Sequence, residues 1–160
     1  MVLAVKRIIV LALAAVMLCS MFCAAGCGAK TSITADEFKS LMEAKGNTVG
    51  DSSDYFSDDD SMTHVYVALI GNGSYQIDFY ETDSPAAAER LFADNKSLFE
   101  KYAGKGSSHT SASAANYDSY KLTVGGYYKV LSRIDNTLLY VNAREEYKDE
   151  INSILDELGY

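Results

Sequence analysis

Apolar residues recur at the spacing of an amphipathic helix in three stretches of the chain. A T-x-x-E capping box begins the first stretch at Thr34, and Ser84 followed by Pro85 begins the second. A second capping box, formed by Asn142 and Glu145, predicts the start of the third. A glycine closely follows the last apolar residue of each stretch, at positions 46, 104 and 159. Because glycine is typical of helix ends, the pattern predicts three helices.

Five shorter stretches alternate apolar and polar residues, which is the period of a strand with one buried face. Gly71–Asn72–Gly73 separates the first two, and these residues accept the positive φ that a hairpin turn requires. Short turns also separate the last three, at Gly125–Gly126 and Asp135–Asn136. Successive strands should therefore be antiparallel neighbours. The predicted strands are His64–Ile70, Tyr75–Tyr80, Tyr120–Val124, Tyr127–Ile134 and Thr137–Val141.

The predicted order of elements is α-β-β-α-β-β-β-α. Strands joined by hairpins, with helices between the groups, define an α+β domain. We expect one antiparallel sheet of about five strands, with the helices packed on one face. This single domain is predicted to span residues 34–160, which is enough chain to bury a core.

Two polar segments of the domain are predicted to be loops. Residues 46–63 contain five aspartates and no basic residue. Closely spaced carboxylates suit calcium, but the spacing of a calcium-binding loop is absent, which favours a solvated acidic connector. Residues 104–119 are rich in Ser and Ala and contain no Leu, Ile, Val, Met or Phe. They predict a loop, with at most a short edge strand near Ser108–Ala112.

The first residues have the three-part layout of an export signal. Lys6 and Arg7 supply positive charge, residues 8–25 carry none, and Ala24–Ala25–Gly26 places small residues before Cys27. This layout resembles the signal of bacterial lipoproteins, in which small residues precede a cysteine that is lipidated and becomes the first residue of the mature protein.

The resemblance implies a signal peptide over residues 1–26, lipidation of Cys27 and a tether over residues 27–33. Cys19 and Cys23 each follow a bulky residue, so Cys27 is the best candidate for the modified position. Two or three acyl chains, such as palmitate, would make the attachment stable, whereas a single chain would be marginal. We therefore expect a protein anchored to the cell membrane that faces away from the cytoplasm.

Two other interpretations of this segment stay open. The 18 uncharged residues are at the short end of what crosses a bilayer, so the segment could remain as an uncleaved span. Alternatively, the signal could be removed without lipidation, which would leave Cys27 as a free thiol. A mass measurement of the mature N-terminus separates the three interpretations.

Cysteine usage and charge narrow the class of function. All three cysteines lie within the first 27 residues, so the rest of the chain has no thiol for a disulfide, a metal site or a nucleophile. After Cys27 the chain carries 12 basic and 22 acidic residues, a net charge of −10. This charge disfavours nucleic acid as a partner. It also favours a domain that stands away from anionic lipid headgroups.

Residues suited to catalysis are few. His109 lies beside Ser107 and Ser108, but neighbours in sequence do not form the geometry of a hydrolase site, and no G-x-S-x-G motif is present. His64 and His109 alone do not form a zinc motif. Surface carboxylate pairs such as Asp156–Glu157 are expected to keep helices soluble. We therefore predict no catalytic residue, no metal and no cofactor.

Tyrosine is the unusual feature of the composition. All 12 tyrosines follow Cys27, and many lie on predicted strands. The alternation places Tyr66, Tyr80 and Tyr127 opposite the apolar sets of their strands. If helices cover one face of the sheet, these residues form an aromatic platform on the open face that could bind a peptide or a glycan. Alternatively, tyrosine simply suits half-exposed strands.

These observations favour a non-enzymatic lipoprotein that binds or scaffolds a protein, peptide or glycan outside the cytoplasm. The alternative is a small envelope hydrolase that uses His109 or surface carboxylates. Tyr66, Tyr80 and Tyr127 on one open face would support binding. A deep pocket at His109 with a carboxylate in reach would support catalysis.

Overall fold

Seven antiparallel strands form one sheet in the computed structural model, which describes residues 29–160. The strands are β1 (Thr48–Asp51), β2 (Met62–Ile70), β3 (Tyr75–Thr82), β4 (Ser108–Ala114), β5 (Tyr117–Val124), β6 (Tyr127–Ile134) and β7 (Thr137–Arg144). The helices are α1 (Ala35–Ala44), α2 (Pro85–Lys101) and α3 (Lys148–Glu157), with short 3-10 helices at Ser53–Phe56 and Glu145–Tyr147. The strand order in the sheet is β1-β2-β3-β7-β6-β5-β4.

The α+β class and the antiparallel sheet are confirmed, but the sheet has seven strands rather than about five. The two additional strands, β1 and β4, form its edges. Every residue of β4 is exposed, and β1 has only four residues with none buried. Neither strand has a buried face, so neither shows the alternation that reveals a strand in sequence. Their backbone hydrogen bonds to a neighbouring strand define them instead.

The helices lie on both faces of the sheet, so the prediction that they share one face is wrong. On one face, α1 and α3 cover a core cluster that includes Phe38, Met42, Ile77, Phe79, Leu139, Val141, Ile151 and Leu155. On the other, which we call the α2 face, Phe99 of α2 packs with Tyr120, Leu122, Leu131 and Leu138. The reason is that the central strands are apolar on both faces: adjacent residues such as Leu138 and Leu139 are both fully buried, on opposite sides.

The starts of the first two helices are confirmed. Thr34 Oγ1 accepts a hydrogen bond from the Glu37 amide, and the Glu37 side chain accepts one from the Thr34 amide, which completes the capping box. Ser84 Oγ caps α2 by accepting a hydrogen bond from the Ala87 amide, with Pro85 at the first helical position.

The predicted start of the third helix, at Asn142, is wrong. Asn142 is still part of β7, where it pairs with Lys129 of β6, and α3 begins only at Lys148. The capping signal at Asn142 involves only neighbouring residues. Pairing with β6, in contrast, gives hydrogen-bond partners to the backbone of residues 142–144. The sheet therefore extends past the position at which the sequence predicts a helix.

The two predicted loops contain secondary structure. Residues 46–63 include β1 and a 3-10 helix, and residues 104–119 include β4 and the first residues of β5. The short edge strand expected near Ser108–Ala112 is present and slightly longer. The hairpin of β2 and β3 is confirmed, and its turn residues Gly71, Asn72 and Gly73 all have positive φ.

The predicted signal peptide and the lipidated Cys27 lie outside the described residues. Within residues 29–160, no helix combines the length and apolar character needed to cross a bilayer. The end of the predicted tether is fixed to the domain: the Lys30 amide donates to Asn116 Oδ1 at 3.1 Å, and Asn116 Nδ2 donates to the Lys30 carbonyl at 2.7 Å. Asn116 lies in the turn between β4 and β5. The tether therefore joins the sheet at the end that carries this turn.

Candidate functional site

An open groove of about 720 Å³ lies on the α2 face, at the end of the sheet that carries the turn between β2 and β3. Strand alternation places the side chains of Gln76, Asp78 and Tyr80 in it from β3, because alternate residues share a face. The other residues with side chains on this face that line the groove are Leu69, Asn95, Tyr127, Tyr140, Asn142 and Arg144. The groove is thus lined mainly by amides, phenols and one carboxylate.

Asp78 is the most unusual residue of this groove. It is only 8% exposed and sits on a central strand, where it pairs with Tyr140 of β7 on one side and Val67 of β2 on the other. Its Oδ1 accepts one hydrogen bond, from Gln76 Nε2 at 2.8 Å. Among residues 29–160, no ion pair involves Asp78. Burial raises the pKa of Asp78 to about 6, and the Gln76 hydrogen bond opposes this only in part.

Two tyrosine rings, those of Tyr80 and Tyr140, lie beside this carboxyl group. Burial, followed by the nearby Asp78 charge, raises the pKa of both Tyr80 and Tyr140, so their hydroxyl groups stay protonated at neutral pH. Tyr80 is supported from behind by an edge-to-face contact with Phe56, at 5.8 Å between ring centroids. Tyr127 is 48% exposed and lies at the rim. The groove can therefore offer aromatic faces and neutral hydroxyl groups to a ligand.

Amide and basic side chains complete the lining. Asn95 enters from α2 and is held there because its Nδ2 donates to the Leu91 carbonyl at 2.9 Å. Asn142 Oδ1 accepts a hydrogen bond from Lys129 Nζ at 2.9 Å. The Lys129 ammonium group also lies 5.1 Å from the centre of the Phe99 ring, and burial lowers its pKa. Arg144 is exposed at the outer end of β7.

The structure brings together two of the three predicted platform residues. Tyr80 and Tyr127 both line the groove, whereas Tyr66 lies on the opposite face. Tyr66 pairs with Phe79, one position away from Tyr80, and it is 7% exposed in the core beneath α1. The predicted platform of Tyr66, Tyr80 and Tyr127 on a single face is therefore absent. The face carrying Tyr80 and Tyr127 is partly covered by α2.

Sequence reasoning missed Asp78, Tyr140 and Asn95. A signal for Asp78 was available, because aspartate is depleted in strands and this one lies in the middle of a predicted strand. Tyr140 was predicted to be in a strand, but only the sheet order brings β7 next to β3. Asn95 lies at helical spacing from Leu91 and Phe99, but helical spacing alone does not reveal the groove that it lines.

His109 and the carboxylates do not form a second site of the predicted kind. His109 is exposed on the α2 face, where its ring stacks on Tyr120 with 5.8 Å between centroids. A shallow cavity of about 420 Å³ beside it is also lined by Asp156. Asp156 belongs to α3, which packs on the other face of the sheet. The two side chains therefore approach this cavity from opposite sides of the edge strands.

Two of the five aspartates of residues 46–63, Asp51 and Asp59, accept hydrogen bonds from a serine two positions further along the chain. Hydrogen bonds from Ser53 lower the pKa of Asp51, and hydrogen bonds from Ser61 lower the pKa of Asp59. Over the described part of the chain, no three His, Cys, Asp or Glu side chains are grouped closely enough to hold a metal ion.

Comparison with known proteins finds no matching family model, no similar curated protein and no similar solved structure.

Proposed function

We propose that this chain is a lipid-anchored, extracytoplasmic binding module that holds a small polar ligand, or the polar group of a peptide or glycan, in the groove around Asp78. The observation that carries the proposal is the buried Asp78 carboxyl group in an open groove. Burying a charged group without a cationic partner costs stability. A groove that retains one is a candidate site on physical grounds, since perturbed carboxyl groups in clefts cluster at functional sites.

The position of the tether supports this arrangement. Lys30 is bound at the turn between β4 and β5, where β7 begins and β3 ends. The groove lies at the other end, near Gly73 and Arg144. With about 3.3 Å per residue, the eight residues of β7 separate the two ends by roughly 25 Å. An anchor at Cys27 would then leave the groove directed away from the membrane.

The chemistry of the lining favours binding over catalysis. Among the described residues that line the groove, Asp78 is the only carboxylate, and none is a histidine. General acid–base hydrolysis of a glycosidic bond ordinarily uses two carboxyl groups. Nucleophilic hydrolysis needs a nucleophile within reach of a base. The groove has neither pair, but it has the aromatic and amide groups that orient a bound molecule.

The anchor is tested by mass spectrometry of the mature N-terminus from native membranes. We expect an N-terminal Cys27 carrying a diacylglycerol thioether. Cys27→Ser should release the chain from the membrane fraction, whereas the matched variant Cys23→Ser should leave it there. A chain that retains Met1, or an unmodified Cys27, would contradict the anchor.

The groove is tested by titrating the 15N-labelled full-length chain, in a non-ionic detergent, with three probes: maltose, glycylglycine and n-butylammonium chloride. The side-chain amide signals of Gln76 and Asn95 report on the groove. We expect at least one probe to shift these signals. We also expect Tyr127→Ala to weaken the binding of that probe. The control Tyr55→Ala removes a tyrosine that does not line the groove and should bind normally. If none of the three probes shifts these signals, the binding function is wrong.

A further inference from the structure

We infer that the ligand of this groove is a small organic cation with N–H donors, of the primary-ammonium class, whose charge is held by the Asp78 carboxylate and flanked by the rings of Tyr80 and Tyr140. This inference rests on the proposed binding function and specifies its ligand. It is carried by three features of the groove: the incomplete hydrogen bonding of Asp78, the absence of an ion pair with Asp78 among residues 29–160, and the tyrosine rings.

The first feature is the incomplete hydrogen bonding of Asp78. An ionised carboxylate can accept about four hydrogen bonds, and Asp78 accepts only one from the described residues, from the neutral amide of Gln76. A primary ammonium group supplies three N–H donors together with the opposite charge. Charge-assisted bonds of this kind are roughly twice as strong as neutral ones. An ammonium ligand would therefore complete both the hydrogen bonding and the charge of Asp78.

The second feature is that, within residues 29–160, no basic side chain forms an ion pair with Asp78. The residues paired with Asp78 across the sheet are Val67 of β2 and Tyr140 of β7, and neither of them is basic. Arg144 lies four residues beyond Tyr140 on β7, which is roughly 13 Å along the strand. On β6, Lys129 and Arg133 lie two residues to either side of Leu131, the partner of Tyr140; Lys129 is bonded to Asn142 and Arg133 to Asp118. The carboxylate thus faces a groove in which no basic side chain competes for it at close range.

The third feature is the aromatic surround. A cation over the face of a tyrosine ring is attracted by the ring quadrupole, and this attraction grows when water is excluded. Tyr80 and Tyr140 are half-buried beside Asp78, whereas Tyr127 lines the groove farther along the sheet. Their hydroxyl groups can also accept hydrogen bonds from an ammonium group. A neutral polyol could use the rings and the amides, but it would leave the charge of Asp78 uncompensated.

The test compares n-butylammonium with n-butanol, which has the same carbon chain without the charge, at constant ionic strength. We expect n-butylammonium to shift the side-chain amide signals of Gln76 and Asn95, and n-butanol at the same concentration to leave them unchanged. Asp78→Asn should lower the affinity for n-butylammonium at least tenfold. Asp94→Asn makes the same change in net charge at an exposed site on α2 and should bind like the parent chain.

The pH dependence adds an independent readout. A cation needs the ionised form of Asp78, and the pKa of this group is about 6. Burial raises the pKa of both Tyr80 and Tyr140, the titratable groups beside Asp78 in the groove, so neither changes charge below neutral pH. Affinity for n-butylammonium should therefore fall about tenfold between pH 7.5 and pH 5 in the parent chain. Asp94→Asn, which keeps Asp78, should show the same fall as the parent, whereas Asp78→Asn should show no such pH dependence.

The outcomes separate this inference from the function on which it rests. If maltose or glycylglycine shifts the groove signals and n-butylammonium does not, the ligand class is wrong and the binding function stands. If Asp78→Asn binds n-butylammonium as well as the parent, or n-butanol binds equally well, the role of the carboxylate is wrong. If no probe shifts the signals, both proposals fall together.

Discussion

The Arg133 guanidinium group and the Asp118 carboxylate form a buried ion pair that joins β6 to β5 on the α2 face. Arg133 Nη2 lies 2.6 Å from Asp118 Oδ2, and Arg133 Nε donates to the same oxygen at 2.8 Å. The Arg133 side chain is only 3% exposed. Its Nη1 also donates to the Asp135 carbonyl at 3.1 Å, so the guanidinium group is bonded on two sides. This buried charge is compensated within the fold, in contrast to Asp78 on the same face.

The first prediction concerns this ion pair. Asp118→Asn leaves the Arg133 charge buried without its carboxylate, and such a loss is strongly destabilising. We expect the free energy of unfolding to fall by about 3 kcal/mol, measured by urea denaturation at neutral pH. Glu89→Gln is the matched control, because Glu89 lies 3.7 Å from Arg133 and is largely exposed. It should cost less than about 1 kcal/mol. Equal effects of the two substitutions would contradict the assignment.

The second prediction concerns the free energy of unfolding of Asp78→Asn. Burial raises the pKa of Asp78 to about 6, so the folded state binds a proton more tightly than the unfolded state. The stabilisation by this proton is complete below about pH 4 and is lost as pH rises through about 6. At neutral pH the substitution removes a buried charge, and we expect stability to rise by up to about 3 kcal/mol.

The measurement is urea denaturation of the parent, Asp78→Asn and Asp94→Asn at about pH 7.5 and about pH 4. The gain from Asp78→Asn should be present at the higher pH and largely absent at the lower one. Asp94→Asn should have little effect at either pH, because Asp94 is exposed. A loss of stability in Asp78→Asn at neutral pH would show that the carboxylate already has a partner in the folded chain. If the expected gain in stability is observed, Asp78→Asn is also folded well enough to be used in the binding test.

Local signals in the sequence predict the structure correctly where contacts between neighbouring residues determine it. The capping box of Thr34 and Glu37 and the turn at Gly71–Asn72–Gly73 depend on contacts within four residues, and both were predicted correctly. Asn142 shows the limit of this reasoning. Its capping pattern is equally good, but pairing with Lys129 keeps it in β7, and this pairing depends on the order of strands in the sheet.

The candidate site was predictable only in part for the same reason. Tyr80 and Tyr127 were identified from alternation along single strands, and both line the groove. Alternation does not determine which face of one strand adjoins which face of the next, so Tyr66 was placed with them incorrectly. Asp78 and Tyr140 become neighbours only because β3 pairs with β7, two strands separated by more than fifty residues of chain.

The third prediction concerns the link between the tether and the sheet. Asn116 binds the main chain of Lys30 through both its amide nitrogen and its amide oxygen, and its Nδ2 also donates to Asp135 Oδ1 at 3.1 Å. Asn116→Ala removes these bonds, and we expect a loss of about 1–2 kcal/mol in the free energy of unfolding. Faster hydrogen exchange of the Lys30 amide should accompany it.

Lys30→Met is the control for this link. It keeps the main-chain bonds to Asn116 but removes the ammonium group that lies 4.3 Å from the centre of the Tyr117 ring. Exchange at residue 30 should then stay close to that of the parent chain. If Asn116→Ala leaves this exchange unchanged, the tether is not held at this end of the sheet, and the proposed direction of the groove loses its support.

The last prediction concerns a hydroxyl pair inside the core beneath α3. The Tyr160 hydroxyl contacts Thr137 Oγ1, and Thr137 Oγ1 donates to the Ile134 carbonyl at 2.8 Å. Because the Thr137 proton is used there, Tyr160 must be the donor of the pair, and burial raises the pKa of its hydroxyl group.

Tyr160→Phe removes a donor and leaves Thr137 bonded to Ile134, so it should cost about 1 kcal/mol. Thr137→Val leaves the buried Tyr160 hydroxyl without its hydrogen-bond acceptor and should lower the free energy of unfolding by about 2–3 kcal/mol. In the double variant, which has no stranded hydroxyl, the loss should be smaller than the sum of the two single losses, as measured by urea denaturation. Strict additivity would show that the two hydroxyl groups do not interact.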